Sequence, residues 1–133
     1  MRARSAVDAC QPVELASQVV GIERTSGRVV LVPQTGGPPT RIDGHTIGVV
    51  SVSGEPPHGG EVHPDGDELL YVISGRINVH LELDTGDQDI ELAPGQAQVV
   101  PRGVWHQITT IETAQLLHIT PGPGGQARPR RDV

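Results

Sequence analysis

The chain contains no lysine and no phenylalanine, a single cysteine, and only two aromatic side chains besides histidine, Tyr71 and Trp105. All ten basic residues are therefore arginine. The lack of lysine excludes Schiff-base chemistry, lysine-anchored pyridoxal phosphate and the lysine of a phosphate-binding loop. Two rings are too few for a platform on which sugars or bases stack. Cys10 cannot close an internal disulfide, and its place near the start of the chain makes it a poor nucleophile; a reducing, cytoplasmic setting is the default. No apolar run reaches the roughly eighteen residues of a membrane helix, and no basic-then-apolar leader opens the sequence, so the expectation is a soluble protein, not membrane-bound and not exported. Positive charge is also scarce. At a net charge of −6 the chain lacks the footprint that nucleic-acid phosphates require, and only Arg128, Arg130 and Arg131 cluster. These lie in a Pro/Gly-rich stretch, 121–133, that reads as a solvated tail.

A length of 133 residues suits one domain, and 17 glycines and 12 prolines cut it into short segments. The expected organisation is an N-terminal arm over 1–20, a β-barrel over 21–120 and the tail over 121–133. Residues 1–10 show no periodicity and read as loosely attached. Val13, Leu15, Ala16, Val19 and Val20 are spaced compatibly with a short amphipathic helix over 12–20, although a strand also fits. Strand candidates follow at 28–32, 46–52 and 69–73, the last closed by a turn at Gly75. Then comes a hairpin over 76–93 whose alternation places Ile77, Val79, Leu81 and Leu83 on one face. Further strands are expected at 96–100, 106–111 and 115–120. Such a series points to an all-β sandwich or barrel. The hairpin acids Glu82, Asp84, Asp87, Asp89 and Glu91 lack the glycine-centred spacing of a calcium loop and read as a solvated face.

Chemistry concentrates in the stretch Glu61 to Gly75, EVHPDGDELLYVISG. Residues two apart on a strand share a face, so Glu61 and His63 project together. The turn Pro64-Asp65-Gly66-Asp67 brings Glu68 back toward His63, giving three potential metal ligands within a short span. A second stretch places Gly95, Pro101, Gly103 and His106 in order, with a rigid Pro-Arg-Gly corner delivering His106 to the next strand. Together the two stretches resemble the paired motifs of the cupin superfamily. Glu61 stands where the family's first histidine would be, and Thr110 where it usually has asparagine. Over roughly residues 45–120 the motif spacing is that of the family. The resemblance implies a small jelly-roll barrel of antiparallel strands, a ligand set of Glu61, His63, Glu68 and His106, and chains that commonly pair as homodimers, with residues 13–32 a candidate for covering a partner's sheet edge.

Two imidazoles with one or two carboxylates form a hard to borderline donor set that suits iron, manganese, nickel or zinc as a divalent ion. Compared with three histidines and one glutamate, Glu61 adds a negative charge. The alternative is a metal-free polar network. His58 is a second candidate: a bulge at Gly59-Gly60 would reset the strand phase and let it replace the missing histidine, freeing Glu61 as a general base. The remaining candidate pocket residues are Tyr71, as a packing residue with a wet hydroxyl or an acid; Trp105, as a wall or an interface anchor; and His118, facing the cavity or satisfied in the structure according to register. His45 and His80 read as surface groups. The function expected is that of a metal-dependent enzyme of dioxygenase, isomerase or lyase type acting on a small oxygen-rich organic molecule. The alternative is a barrel that holds a small ligand without chemistry.

Overall fold

A computed structural model describes residues 5–130. Residues 1–4 of the expected arm and Arg131 of the basic cluster lie outside that range. Ten strands follow in order: β1 (Ser5–Ala6), β2 (Val19–Glu23), β3 (Val29–Val32), β4 (Gly44–Val52), β5 (Glu61–Val62), β6 (Glu68–Leu83), β7 (Gly86–Leu92), β8 (Ala97–Val100), β9 (His106–Gly122) and β10 (Gln126–Ala127). All pairings are antiparallel, and the described residues contain no helix. This is the all-β jelly roll expected from the strand series.

Two long strands, β6 and β9, run the length of the barrel and join its halves. In one half the order is β1, β3, β2, β4, then the end of β9, the start of β6, and β8. In the other it is β7, the end of β6, the start of β9, β5 and β10. The inner faces of both halves meet in one apolar cluster that includes Leu70, Val72, Ile77, Val79, Leu92, Val100 and Leu116. Each such side chain contributes about 1.5–3 kcal/mol when removed fully from water.

The sequence reading ended a strand at Gly75; instead β6 continues through it. Buried positions are even-numbered before the glycine (Glu68, Leu70, Val72) and odd-numbered after it (Ile77, Val79, Leu81). Register shifts between Val72 and Ile77 absorb the change. A bulge inserts one residue, and without it Arg76, Asn78 and His80 would turn into the core. Gly75 has φ of 80°, and a Cβ there would run into the Thr113 carbonyl, so no other residue fits without displacement of the partner strand.

Both ends of the chain depart from expectation. The amphipathic helix over 12–20 does not form: a single turn closes between Glu14 and Gln18 (2.8 Å), and β2 begins at Val19. One turn is too short a nucleus to hold by itself, whereas Val20 and Ile22 pair with strands on both sides. The expected solvated tail is stitched to the barrel. Gln126 and Ala127 pair with Val62 and Glu61, and Arg128 lies 4.3 Å over the Trp105 ring while its guanidinium bonds Glu82. The Gly59 amide donates to the Arg128 carbonyl (2.7 Å) and the Arg128 amide to the Gly60 carbonyl (3.0 Å), and a Cβ on Gly59 would collide with the Pro129 carbonyl.

Candidate metal centre

The two motif stretches meet because their corners are tied together. The Arg102 amide donates to Asp67 Oδ1 (2.7 Å) and the Gly103 amide to the His63 carbonyl (3.0 Å). These bonds fix the Pro101-Arg102-Gly103 corner against the Pro64–Asp67 turn. Glu61 on β5 then lies directly opposite His106 on β9. Glu61, His63 and His106 offer ligand atoms that all lie within 4.8 Å of one another. His63, Glu68 and His106 are buried, and Glu61 is half-buried.

Glu68 binds the cluster from beneath. Its Oε1 lies 3.0 Å from His106 Nε2 and its Oε2 lies 3.4 Å from His63 Nε2. His63 Nε2 is also 3.4 Å from Glu61 Oε2. These contacts are at ion-pair range, but neither ring nitrogen of His63 has a hydrogen-bond partner, nor does His106 Nδ1. A buried polar group without a partner is costly. Donor atoms roughly 3 Å apart match the separation of neighbouring ligands around an ion with bonds of about 2.1 Å. Two imidazoles and the carboxylates therefore fit a divalent transition metal.

Burial by itself would raise the Glu68 carboxyl, but the adjacent His106 and His63 rings outweigh it and hold the group well below the usual carboxylate range. Glu61 is lowered in the same sense: burial opposes, while His63 and His58 win. Burial would push His63 down, yet its two glutamates push it up to about 9. Without a metal, the proton on His63 takes the place of the cation.

Outside this group two hydrogen-bonded arms orient it. The Gly60 amide donates to His58 Nδ1 (3.1 Å), which leaves Nε2 as the nitrogen that donates to Glu61 Oε1 (2.6 Å). The bulge proposed for Gly59-Gly60 does not make His58 a fourth member of the donor group; it aims Glu61. On the other side Thr120 Oγ1 donates to Glu68 Oε2 (2.7 Å) and accepts from His118 Nδ1 (2.8 Å). Burial and the nearby Arg41 charge lower His118, in keeping with a neutral ring.

Glu61, Glu68 and His106 form the floor of a cavity of about 620 Å³, and His63 lies behind them, outside its lining. His58, Glu61, Glu68, His106 and His118 line it, with apolar walls from Val50, Val52, Leu70, Ile108 and Leu116. Two expected pocket residues do not. Tyr71 has odd parity on the first half of β6 and so faces outward, 36% exposed. Trp105 instead lies under Arg128, outside the cavity lining. Sequence reading missed Arg41, Thr46 and Thr120. Thr120 was within reach, since it shares parity with His118 on one strand. Arg41 follows Pro38-Pro39 in a stretch without periodicity, and nothing local marks it.

The family description "Cupin domain" matches residues 49–120. The chain belongs to the cupin domain family. Among solved structures this cupin is similar to an oxalate decarboxylase studied for its substrate-binding mode and reaction-specificity switch, at 22% identity and a TM-score of 0.53 over 62% of this chain and 23% of that one. A variant oxalate decarboxylase from Bacillus subtilis gives the same values. An oxalate oxidase matches at 18% identity and a TM-score of 0.52, covering 61% of this chain and 44% of that one. At such identities the likeness is one of fold, and this chain spans about a quarter of the decarboxylase (23%). No protein of curated function matches the sequence.

Proposed function

We propose that this cupin is a metal-dependent enzyme acting on a small oxygen-rich organic molecule, by a reaction of the dioxygenase, isomerase or lyase type. The observation that carries the reading is a buried pair of imidazoles with unpartnered ring nitrogens, His63 and His106, beside two carboxylates, with His106, Glu61 and Glu68 lining an open cavity and His63 directly behind them. Glu61, His63 and His106 would hold the ion, with Glu68 as a fourth ligand or as the buried countercharge. When bound, a divalent iron, manganese, nickel or zinc ion supplies Lewis acidity toward a chelating oxygen group. The chain itself does the rest: His58 fixes the direction of Glu61, Thr120 and His118 hold Glu68, and the apolar walls exclude water from the bound molecule. The similarity in fold to oxalate decarboxylase and oxalate oxidase is compatible with this class and does not select the reaction.

One observation favours a second reading, a non-catalytic binding barrel. The chain His118–Thr120–Glu68–His106 is already bonded throughout without a metal. Metal analysis of the purified protein, with oxygen uptake over a panel of diketones, hydroxyacids and catechols, separates the two. Stoichiometric metal and turnover support the enzyme; protein free of transition metal that still binds small molecules supports the barrel.

We also propose a homodimer, in a cytoplasmic setting and without nucleic acid. Val13–Val32 does not wait for a partner as a free segment; β2 and β3 pair within their own sheet. The better surface is the outer face of that half, where Ile47, Val49, Leu69, Tyr71, Val99, Leu117 and Ile119 sit on adjacent strands. Tyr71 and Val99 are 36% and 50% exposed there. An apolar sheet face of this kind marks an interface. Light scattering at micromolar concentration tests it, and a monomer overturns it.

A further inference from the structure

Among the described residues Arg41 is the only arginine lining the cavity, and the chain has no lysine. It comes from the loop before β4, outside the stretch matched by the family description. Its Nη1 donates to Thr46 Oγ1 (2.8 Å), and Thr46 is itself buried and directed at the Thr120 carbonyl (3.5 Å). Among the described residues the guanidinium has no carboxylate within ion-pair distance, so most of its five N–H donors remain to be used.

Charge counting gives the sign of the ligand. Glu61 and Glu68 bring two negative charges, which a divalent ion cancels. Glu55 at the rim faces Arg130 (3.8 Å). Glu68 and Glu61 are the opposite charges nearest to Arg41 in effect, so with the ion bound to them the charge of Arg41 is left over, in a cavity whose apolar walls strengthen its field. A planar guanidinium with free donors matches a carboxylate in two-point geometry.

We propose that Arg41 is the anion-recognising residue of the cavity, held in place by Thr46, and that the ligand is a small carboxylic acid with an apolar body resting on Val50, Val52, Leu70, Ile108 and Leu116. The inference rests on the reading of the cavity as a substrate site and names the class of substrate. Specificity then comes from the N-terminal strands, and the chemistry from the two motif stretches.

The test is isothermal titration of the full chain with two matched pairs, benzoate with benzamide and 2-hydroxybutyrate with 2-hydroxybutyramide, with metal content measured on the same samples. Each acid is expected to bind about tenfold or more tighter than its amide, the range for a hydrogen bond to a charged group. Arg41→Gln should abolish the preference, Arg41→Lys should keep part of it, and both should leave metal content unchanged. Thr46→Val, which removes the anchor and not the charge, should weaken the preference and keeps the test decisive if Arg41→Gln does not fold. Acids that bind no better than amides, or not at all, overturn the proposal, as does a preference that survives Arg41→Gln. The two readings fail separately. Metal-free protein that still prefers acids through Arg41 supports the anion site and counts against the metal reading; metal-loaded protein without the preference overturns the anion site alone.

Discussion

Two histidines in this molecule sit between two carboxylates, and they have opposite fates. His80, on the β6–β7 hairpin, is 2.9 Å from Asp89 and 3.1 Å from Asp87, with Asn78 also bonded to Asp89 (2.9 Å). His63 is 3.4 Å from each of Glu61 and Glu68. The hairpin contacts are shorter, yet those carboxylates are 58% and 64% exposed, and water and salt screen them. The interior pair, which lines the cavity, encloses a buried imidazole with no hydrogen bond of its own. Ligand-type residues in close geometry do not by themselves make a site. Removal from water gives each charge its consequence.

The largest expected effect tests that contrast directly. His63→Ala and His106→Ala should each abolish stoichiometric metal, measured by plasma mass spectrometry on folded protein, while His80→Ala should leave metal content untouched. Retained metal in both interior variants would break the comparison. Next in size is Glu68→Ala, which removes the buried carboxylate beside His106 and one of the two beside His63. It should destabilise the metal-free protein by about 3 kcal/mol in urea denaturation, the scale for breaking a buried ion pair. Asp89→Asn on the hairpin should shift the midpoint little.

The pH dependence of the metal-free protein sharpens the same point. The folded pKa of His63, about 9, lies above its ordinary 6.5, so its contribution is complete below 6.5 and is lost as pH rises through 9. Glu68 is shifted the other way, so its contribution is complete above its ordinary value of 4.5 and is lost as pH falls below it. Denaturation midpoints measured in chelator should therefore form a plateau between the two ordinary values and decline on either side. His63→Ala should remove the alkaline decline; a wild-type profile flat to pH 10 would count against the buried pair. The smallest effect is expected from His58→Ala, which releases Glu61 without removing a donor. Metal affinity should fall about tenfold, the lower end of what outer-shell partners contribute.

How much of this was legible beforehand can be traced residue by residue. Motif spacing pointed to residues that the fold does bring together, because Glu61 and His63 share strand parity, and because the Pro-Arg-Gly corner is a local device that works wherever it is placed. Parity likewise placed Tyr71 on the face opposite Leu70, which makes its expectation as a pocket residue an avoidable error. Gly75 was misread as an end because a turn and a bulge ask for the same residue. Only the pairing of β6 with β9 on either side of it distinguishes them. Arg41 and the stitched tail are not legible in the sequence, since Arg41 is held by Thr46, which is itself directed at distant Thr120, and the tail is held by distant Glu82.

The order of residues alone determined the strand-rich character, the corners between strands and the residue types available for a metal, because turn chemistry and side-chain parity are local properties. Tertiary structure decided which of the many acids and histidines are buried together and which face water, and that Arg41 looks into the cavity. The reason is physical: desolvation depends on what closes over a group from elsewhere in the fold, and no neighbour along the chain carries that information.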